Sequence, residues 1–360
     1  MSLKKIAELT GSSVSTVSRV LNNPTYVGND PERAEKIWKV ARELNYIPNS
    51  SARDLRKGIT TQENLFTVDI FLTRFHSLEE DAFFQELFLY VREELMKNGC
   101  LLGEFLNAID VMEMLDKNSG DIDMIPYKSS RKVKKEKGSN KLAYVQEKEN
   151  TGLIVLGKCP RELIPVLKKR YVNISGIDRN PTNYEYDEVV CNGATAAEKA
   201  IDYLVSLGHT NIAYIGDCTY ESRYIGYYQS MMKHKITLNH GNIYPTNQTK
   251  EEGFAAMKQI ILSSNRPTAV FCANDSTALG VLEAMKKNKK RGYMPSVISI
   301  DNINEAQQTS PMLTTIDIPK KEMAHLALTL LLDRKKGLHT ENVRMELPSR
   351  LIIRESCNYI

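Results

Sequence analysis

Residues 3–23, LKKIAELTGSSVSTVSRVLNN, and residues 38–58, WKVARELNYIPNSSARDLRKG, decide the fold of the first part of the chain. Leu3, Ile6 and Ala7, then Val17, Val20 and Leu21, recur at helical spacing and predict two short helices whose apolar faces meet. Gly11 stands between them, where crossed helices need a turn with an unusual backbone angle. Asp30-Pro31 supplies an N-cap followed by a proline in the first turn of a third helix. Ala34, Ile37, Trp38, Ala41 and Leu44 give that helix its buried stripe, and Pro48 stops it. Residues 49–58 lack such a stripe and are too short to hold a helix alone in water, so they read as a linker that folds when bound. A compact three-helix unit with an excess of Lys and Arg points to DNA.

The rest of the chain must then be accounted for. At 360 residues and 42% hydrophobic it is long enough for two or three domains with sizeable cores. A net charge of +4 does not by itself argue for nucleic acid; the basic bias of residues 1–60 does. A second basic run, Lys128 to Lys141, lies in the polar stretch 118–150 and reads as a charged surface loop or an accessory nucleic-acid contact. The six cysteines are scattered, with no C-x-x-C pair and no histidine at ligand spacing, so reduced thiols are expected and no metal site. MSLKKIAELTG is not a signal peptide and no apolar run approaches a membrane span, so a soluble, cytoplasmic protein is expected.

From residue 65 onward, apolar runs alternate with helical patterns. Residues 65–72, 151–157, 171–178, 211–217, 268–275 and 296–302 read as strands. Residues 83–98, 193–207, 220–233, 251–263, 276–288 and 319–334 read as helices. That alternation predicts parallel sheets in doubly wound α/β domains, with ligands bound beyond the carboxyl ends of the strands.

GSSVSTVSRVLN (11–22), ELNYIPN (43–49), ARDLRKG (52–58), YLVSLGHTNIAYIGD (203–217), RYIGY (223–227), ANDSTALGVLEAM (273–285), SVISIDN (296–302) and SPMLTTID (310–317) follow one another in an order that resembles the LacI/GalR family of bacterial transcription regulators. The resemblance spans nearly the whole chain. It implies a small all-α helix-turn-helix headpiece plus a two-lobed α/β periplasmic-binding-protein-like regulatory domain. The expected divisions are a headpiece at 1–47, a hinge at 48–60, a first lobe at 61–178 with 303–334, and a second lobe at 179–302 with 335–360.

The resemblance places Val14 and Ser15 where members of the family read bases. Val14 suits a thymine methyl, Ser15 several base edges, and Arg19, one turn on, a guanine. Ser13, Thr16, Ser18, Asn22, Tyr46 and Asn49 suit phosphate oxygens. The alternatives are a core position for Val14, helix capping for the serines and Thr16, and a surface ion pair for Arg19. In the family, the leucine matching Leu55 wedges into the minor groove and bends the operator, with Ala52 allowing paired hinge helices to approach and Arg53, Arg56 and Lys57 near phosphates.

For the cleft between lobes, the resemblance assigns Arg223 and Asp275 to the effector. An arginine fork and a carboxylate suit the vicinal hydroxyls of a sugar. Asn274 and Asp301 sit beside the same strand ends, and Phe83, Phe84, Thr73 and Arg74 come from the first lobe. Asp275 has helix capping as its alternative, Asp301 an interlobe hinge, and each phenylalanine core packing. His209 reads as structural.

No G-x-S-x-G, Walker lysine or G-x-G-x-x-G occurs, so no enzyme and no cofactor are expected. The expected protein is a homodimeric repressor of carbohydrate-utilisation genes that leaves a palindromic DNA operator when a sugar binds. A corepressor-activated repressor, responding to a purine or another small molecule, is the alternative. A sugar-binding protein without a DNA role is the second.

Overall fold

A computed structural model describes residues 3–22, 31–43, 65–117, 150–178, 180–219, 221–288 and 292–360. The basic run Lys128–Lys141 and the hinge 48–60 lie outside the described residues.

The headpiece forms as its periodicity predicts. Helices α1 (Leu3–Thr10), α2 (Val14–Asn22) and α3 (Pro31–Glu43) enclose one small core of Ile6, Ala7, Val17, Val20, Leu21, Ala34, Ile37 and Ala41. Gly11 takes φ +63°, the left-handed region that a Cβ resists, and so lets α2 turn across α1.

The remainder is built on two six-stranded sheets. The first contains β1 (Thr67–Leu72), β2 (Leu101–Asn107), β3 (Thr151–Leu156), β4 (Asn173–Asp178), β5 (Asp187–Val190) and β11 (Arg344–Glu346), in the order β11-β5-β4-β3-β1-β2. The second contains β6 (Ile212–Gly216), β7 (Ile243–Pro245), β8 (Ala269–Cys272), β9 (Ser296–Asp301), β10 (Thr314–Asp317) and β12 (Arg350–Ile352), in the order β12-β10-β9-β8-β6-β7. Every described pairing is parallel except β10 with β12.

Alternate residues of the strands enter opposite layers. Val68, Ile70, Ile154 and Leu156 face one core, while Phe71, Leu153 and Val155 face the other. Covering both faces is what makes these strands continuous apolar runs rather than alternating ones. The first sheet is flanked by α4 (Ala82–Lys97) and α11 (Lys320–Lys335), with α5 (Ala108–Lys117) and α6 (Ile164–Arg170) contributing to its other core. The second carries α7 (Gly193–Ser206), α8 (Ser222–Lys233), α9 (Lys250–Leu262) and α10 (Asp275–Lys287).

The strand memberships correct the expected lobe boundaries. The chain leaves the first sheet after β5 at Val190, not at 178, and returns to the first lobe after β10 at Asp317, not at 302. It crosses a third time between β11 and β12, not at 334. The displaced strands are three or four residues long and include DEVV, TTID and RME, so they offer no apolar run for a pattern to catch. The expected strand and helix patterns also left out β2, β7, α5 and α6.

Two contacts hold the second lobe together. Gly253 of α9 and Gly280 of α10 sit where each helix touches the other's backbone: a Cβ on Gly253 would strike the Thr277 carbonyl, and one on Gly280 the Lys250 carbonyl. Asp275, fully buried, accepts hydrogen bonds from Ser299 Oγ (2.5 Å), Thr315 Oγ1 (2.6 Å) and the Ile303 amide (2.8 Å), which ties α10 to β9 and β10. Burial, and then the charge of Asp301, push its carboxyl up to about 7 against those three donors.

Either Gly253→Ala or Gly280→Ala is expected to cost about 1–3 kcal/mol through overpacking, read as a lower urea midpoint with an unchanged denaturant slope. The raised carboxyl also fixes a pH trend. The folded state binds the Asp275 proton more tightly than the unfolded chain. Its stabilising contribution is therefore complete below about pH 4 and is lost as pH rises through about 7. Asp275→Asn should remove that decline, so the stability difference between wild type and variant shrinks between about pH 5 and pH 7. A difference independent of pH would show that Asp275 is ionised throughout.

Candidate functional site

At the headpiece, α2 begins at an exposed edge. The Ser13 hydroxyl accepts the Thr16 amide (3.1 Å) and lies 2.8 Å from both the Ser15 and Thr16 hydroxyls. Ser13 thus caps the helix, while a ring of short hydroxyls surrounds an N-terminus whose amides favour anions. Val14 is 42% exposed, which excludes the core alternative and leaves an apolar side chain at the mouth of the helix. Arg19 is exposed and has no ion-pair partner among the described residues, whereas Ser18 is only partly exposed. Tyr46, Asn49, Ala52, Arg53, Leu55, Arg56 and Lys57, and the side chain of Asn22, lie outside the described residues.

The second site is a cavity of about 390 Å3 where the strand ends of the two sheets face each other. Each wall is the residue or loop that follows a parallel strand. Thr73 and Arg74 follow β1, Gly157 and Lys158 follow β3, and Asp178 and Asn180 close β4. Asp217 and Thr219 follow β6, Asn247 follows β7, and Glu221 and Arg223 open α8. Phe84, in the first turn of α4, supplies an aromatic ring, held edge-on by Phe83 at 5.4 Å and Phe75 at 6.2 Å between ring centres. Gly157, with φ +95°, leaves room for Thr73 and the Phe84 ring, since a side chain there would meet both.

Arg223 is 1% exposed and engaged by three acceptors. Its Nε donates to Glu221 Oε1 (2.8 Å), Nη1 to the Ala273 carbonyl (2.7 Å) and Nη2 to Gln248 Oε1 (2.7 Å). Burial opposes its charge, but the Glu221 carboxylate more than offsets this and holds the guanidinium protonated. Carboxylates at Asp178, Asp217 and Glu221 face cations at Arg74, Lys158 and Arg223 across the cavity, so its formal charge balances. Asp217 Oδ1 accepts from the Thr219 amide (2.8 Å) and hydroxyl (2.7 Å), and Asp178 Oδ2 from the Asn180 amide (3.1 Å). A carboxylate has about four acceptor positions, which leaves these groups able to take further hydroxyl donors.

Of the expected effector residues, Arg223, Arg74 and Phe84 line the cavity, as does Thr73. The other four do not. Asp275 lies in the core, as described above. Asn274 caps α10, its Oδ1 accepting the Thr277 amide (3.0 Å), and donates from Nδ2 to the Gln248 carbonyl (3.1 Å). Asp301 ends β9 with φ +123°, and its carbonyl accepts from Lys320 Nζ (2.6 Å) at the crossing between lobes, so the hinge alternative applies. Phe83 is buried beneath Lys320 Nζ, 5.5 Å above its ring. Lys158, Asp178, Asn180, Asp217, Thr219, Glu221 and Asn247 were missed. Several had a signal, because LIVLGK, NISGID and IAYIGD each end an apolar run in a charged residue at the carboxyl end of a strand.

His209 is structural. Buried, it binds Thr268 Oγ1 through Nδ1 and Ser296 Oγ through Nε2, both at 3.0 Å, and burial lowers its pKa. Among the described residues no helix is long and apolar enough to cross a membrane.

Comparison with known proteins agrees with this anatomy. Residues 2–49 match the bacterial regulatory proteins of the lacI family, and residues 201–357 match the periplasmic binding protein-like domain. The HTH-type transcriptional repressor PurR of Vibrio campbellii is 28% identical over 98% of both chains. Among solved structures, a CelR transcriptional regulator in complex with cellobiose superposes with a TM-score of 0.65 at 21% identity, covering 99% of both chains. The lac repressor dimer bound to operator and an anti-inducer does so with a TM-score of 0.63, also at 21% identity and 99% coverage. The chain thus joins a lacI-family DNA-binding headpiece to a periplasmic-binding-protein-like domain, the organisation of the HTH-type transcriptional repressors that it resembles along its length.

Proposed function

We propose that this repressor is released from a palindromic operator by a small, neutral, polyhydroxylated effector, a sugar, bound in the cavity between its lobes. The observation that carries this reading is the cavity wall. Three carboxylates and the guanidinium of Arg223 offer acceptors and donors suited to vicinal hydroxyls, and their charges balance against Arg74 and Lys158. Phe84 offers one ring face, enough for the C–H edge of a sugar. The cellobiose complex of a structural neighbour supports the same class.

A homodimer would set two α2 helices in successive major grooves, with Val14, Ser15 and Arg19 toward base edges and Ser13, Thr16 and Ser18 toward phosphates. The hinge residues Ala52, Arg53, Leu55 and Arg56 would contact the operator centre, with Tyr46, Asn49 and Asn22 on the backbone. The effector need only favour the DNA-incompetent lobe angle by a few kcal/mol. A corepressor of the purine type is the second reading, favoured by the likeness to repressors named PurR.

The test is operator selected from random DNA, then challenged with sugars and purine bases while binding is followed by fluorescence anisotropy. Release by a sugar supports the reading; tightening by a purine base, with every sugar inert, overturns it. Arg223→Ala should abolish the response and leave operator affinity within a few fold of wild type, because the headpiece is untouched. Affinity should also fall by roughly 10³-fold or more between about 50 and 200 mM salt, as phosphate contacts release counterions; a flat dependence would count against the docking described.

A further inference from the structure

Gln248 occupies the loop between β7 and α9 in the left-handed region, φ +66°. Its amide N–H donates to Thr246 Oγ1 (3.3 Å) and its carbonyl accepts from Asn274 Nδ2 (3.1 Å), so the turn is pinned on both sides. The side chain is 2% exposed. Its Oε1 accepts from two guanidinium groups: Arg223 Nη2 at 2.7 Å, from its own lobe, and Arg74 Nη1 at 3.2 Å, from the other. Arg74 Nη2 also donates to the Asn247 carbonyl (2.5 Å), and Glu252 clamps Asn247 through its amide (2.5 Å) and its Nδ2 (2.9 Å). The arginine that follows β1 therefore grips two consecutive residues of the opposite lobe.

The amide orientation follows from chemistry. Only an oxygen can face two guanidinium groups, so Nε2 must point away, and it is buried with no hydrogen-bond partner among the described residues. An unsatisfied buried donor is uncommon and costs free energy, so the site accepts a penalty to keep the oxygen where it is.

We propose that Gln248 is a positioning residue that couples the cleft to the lobe angle: one amide oxygen fastens Arg74 across the lobes and holds Arg223 in the cavity wall. The oxygen has two lone pairs and both are used. A cleft ligand that draws Arg223 toward itself leaves Gln248 to Arg74 and changes a side-chain acceptor that the two arginines share. The proposal rests on the cavity being the effector site. Its test needs no ligand, so it can fail while that reading stands, and the reverse.

Spin labels carried by non-natural amino acids at the exposed positions Lys169 and Gln229, one on each lobe, report the interlobe distance in the full-length protein diluted with unlabelled copies. Wild type should give one narrow distance distribution. Gln248→Met keeps the side-chain volume but removes the acceptor, and should broaden the distribution toward longer distances. Gln248→Glu keeps an oxygen for both arginines and should restore the narrow one. A residue that merely fills space would behave the other way, tolerating Met and resisting a buried Glu. Should Gln248→Met not fold, Arg74→Met, at a partly exposed position, should produce the same broadening. A wild-type distribution in the Met variant, or in Arg74→Met, overturns the proposal.

Discussion

Hydrogen bonding within parallel sheets buried on both faces is the constraint on which the binding domain depends. Such a sheet has no wet face, so its strands are apolar from end to end and polar chemistry is pushed to their carboxyl ends. Here that happens twice. Thr73, Lys158 and Asp178 stand at the ends of one sheet, Asp217 and Asn247 at the ends of the other, and the two rows are set face to face. The cavity is thus a consequence of how the sheets are buried, and its charge pattern is the residue of everything the cores exclude.

Two sheets facing each other need a joint, and three chain crossings supply it. The joint is polar and tightly satisfied. Lys320 reaches from α11 to the Asp301 carbonyl (2.6 Å), the Asn302 carbonyl (3.1 Å) and the Glu86 carboxylate (3.2 Å), while Glu86 accepts the Asn304 amide (2.7 Å). Asp301 and Asn302 both hold positive φ, which asparagine tolerates and aspartate less so, and this sharp turn directs the chain out of β9. Asn302 is fixed there by Asp317 (2.8 Å) and Arg354 (2.7 Å). With the joint held on one side and Arg74 gripping Asn247 and Gln248 on the other, the angle between lobes has few remaining freedoms.

The elements with long patterns were legible in the sequence; those made by tertiary context were not. The headpiece core from Ile6 to Ala41, and strands such as TGLIVLG, follow from periodicity and composition alone. DEVV, TTID and RME become strands only because a longer neighbour offers them a hydrogen-bonding edge, and so the lobe boundaries moved. At the site, Arg223 and Phe84 were found through the resemblance, yet Asp275 and Asp301 were drawn into the core and the hinge. A motif specifies which residues stand near a strand end, but not which of two adjacent side chains turns inward. Asp217 and Asp178 were readable from the strand-end rule, whereas Gln248 was not: it carries no motif, and its role depends on two arginines 174 and 25 residues away.

The energies involved make this arrangement suitable for a switch. Moving a two-state equilibrium from 1:99 to 99:1 takes about 5.5 kcal/mol, and a hydrogen bond to a charged group contributes roughly 1.5–3 kcal/mol. Arg74 is partly exposed, so its two bonds belong near the lower figure, and together they supply a share of that total rather than all of it. A closure far stronger would hold one lobe angle whatever occupied the cavity; one far weaker would leave the angle to thermal motion. A contact worth a few kcal/mol is one that a small ligand, with a handful of hydrogen bonds of its own, is able to reinforce or replace. The headpiece needs no direct contact with the cavity for this to matter. It needs only that operator binding prefer one lobe angle, because linkage makes any ligand that prefers the other an antagonist of DNA by the same factor.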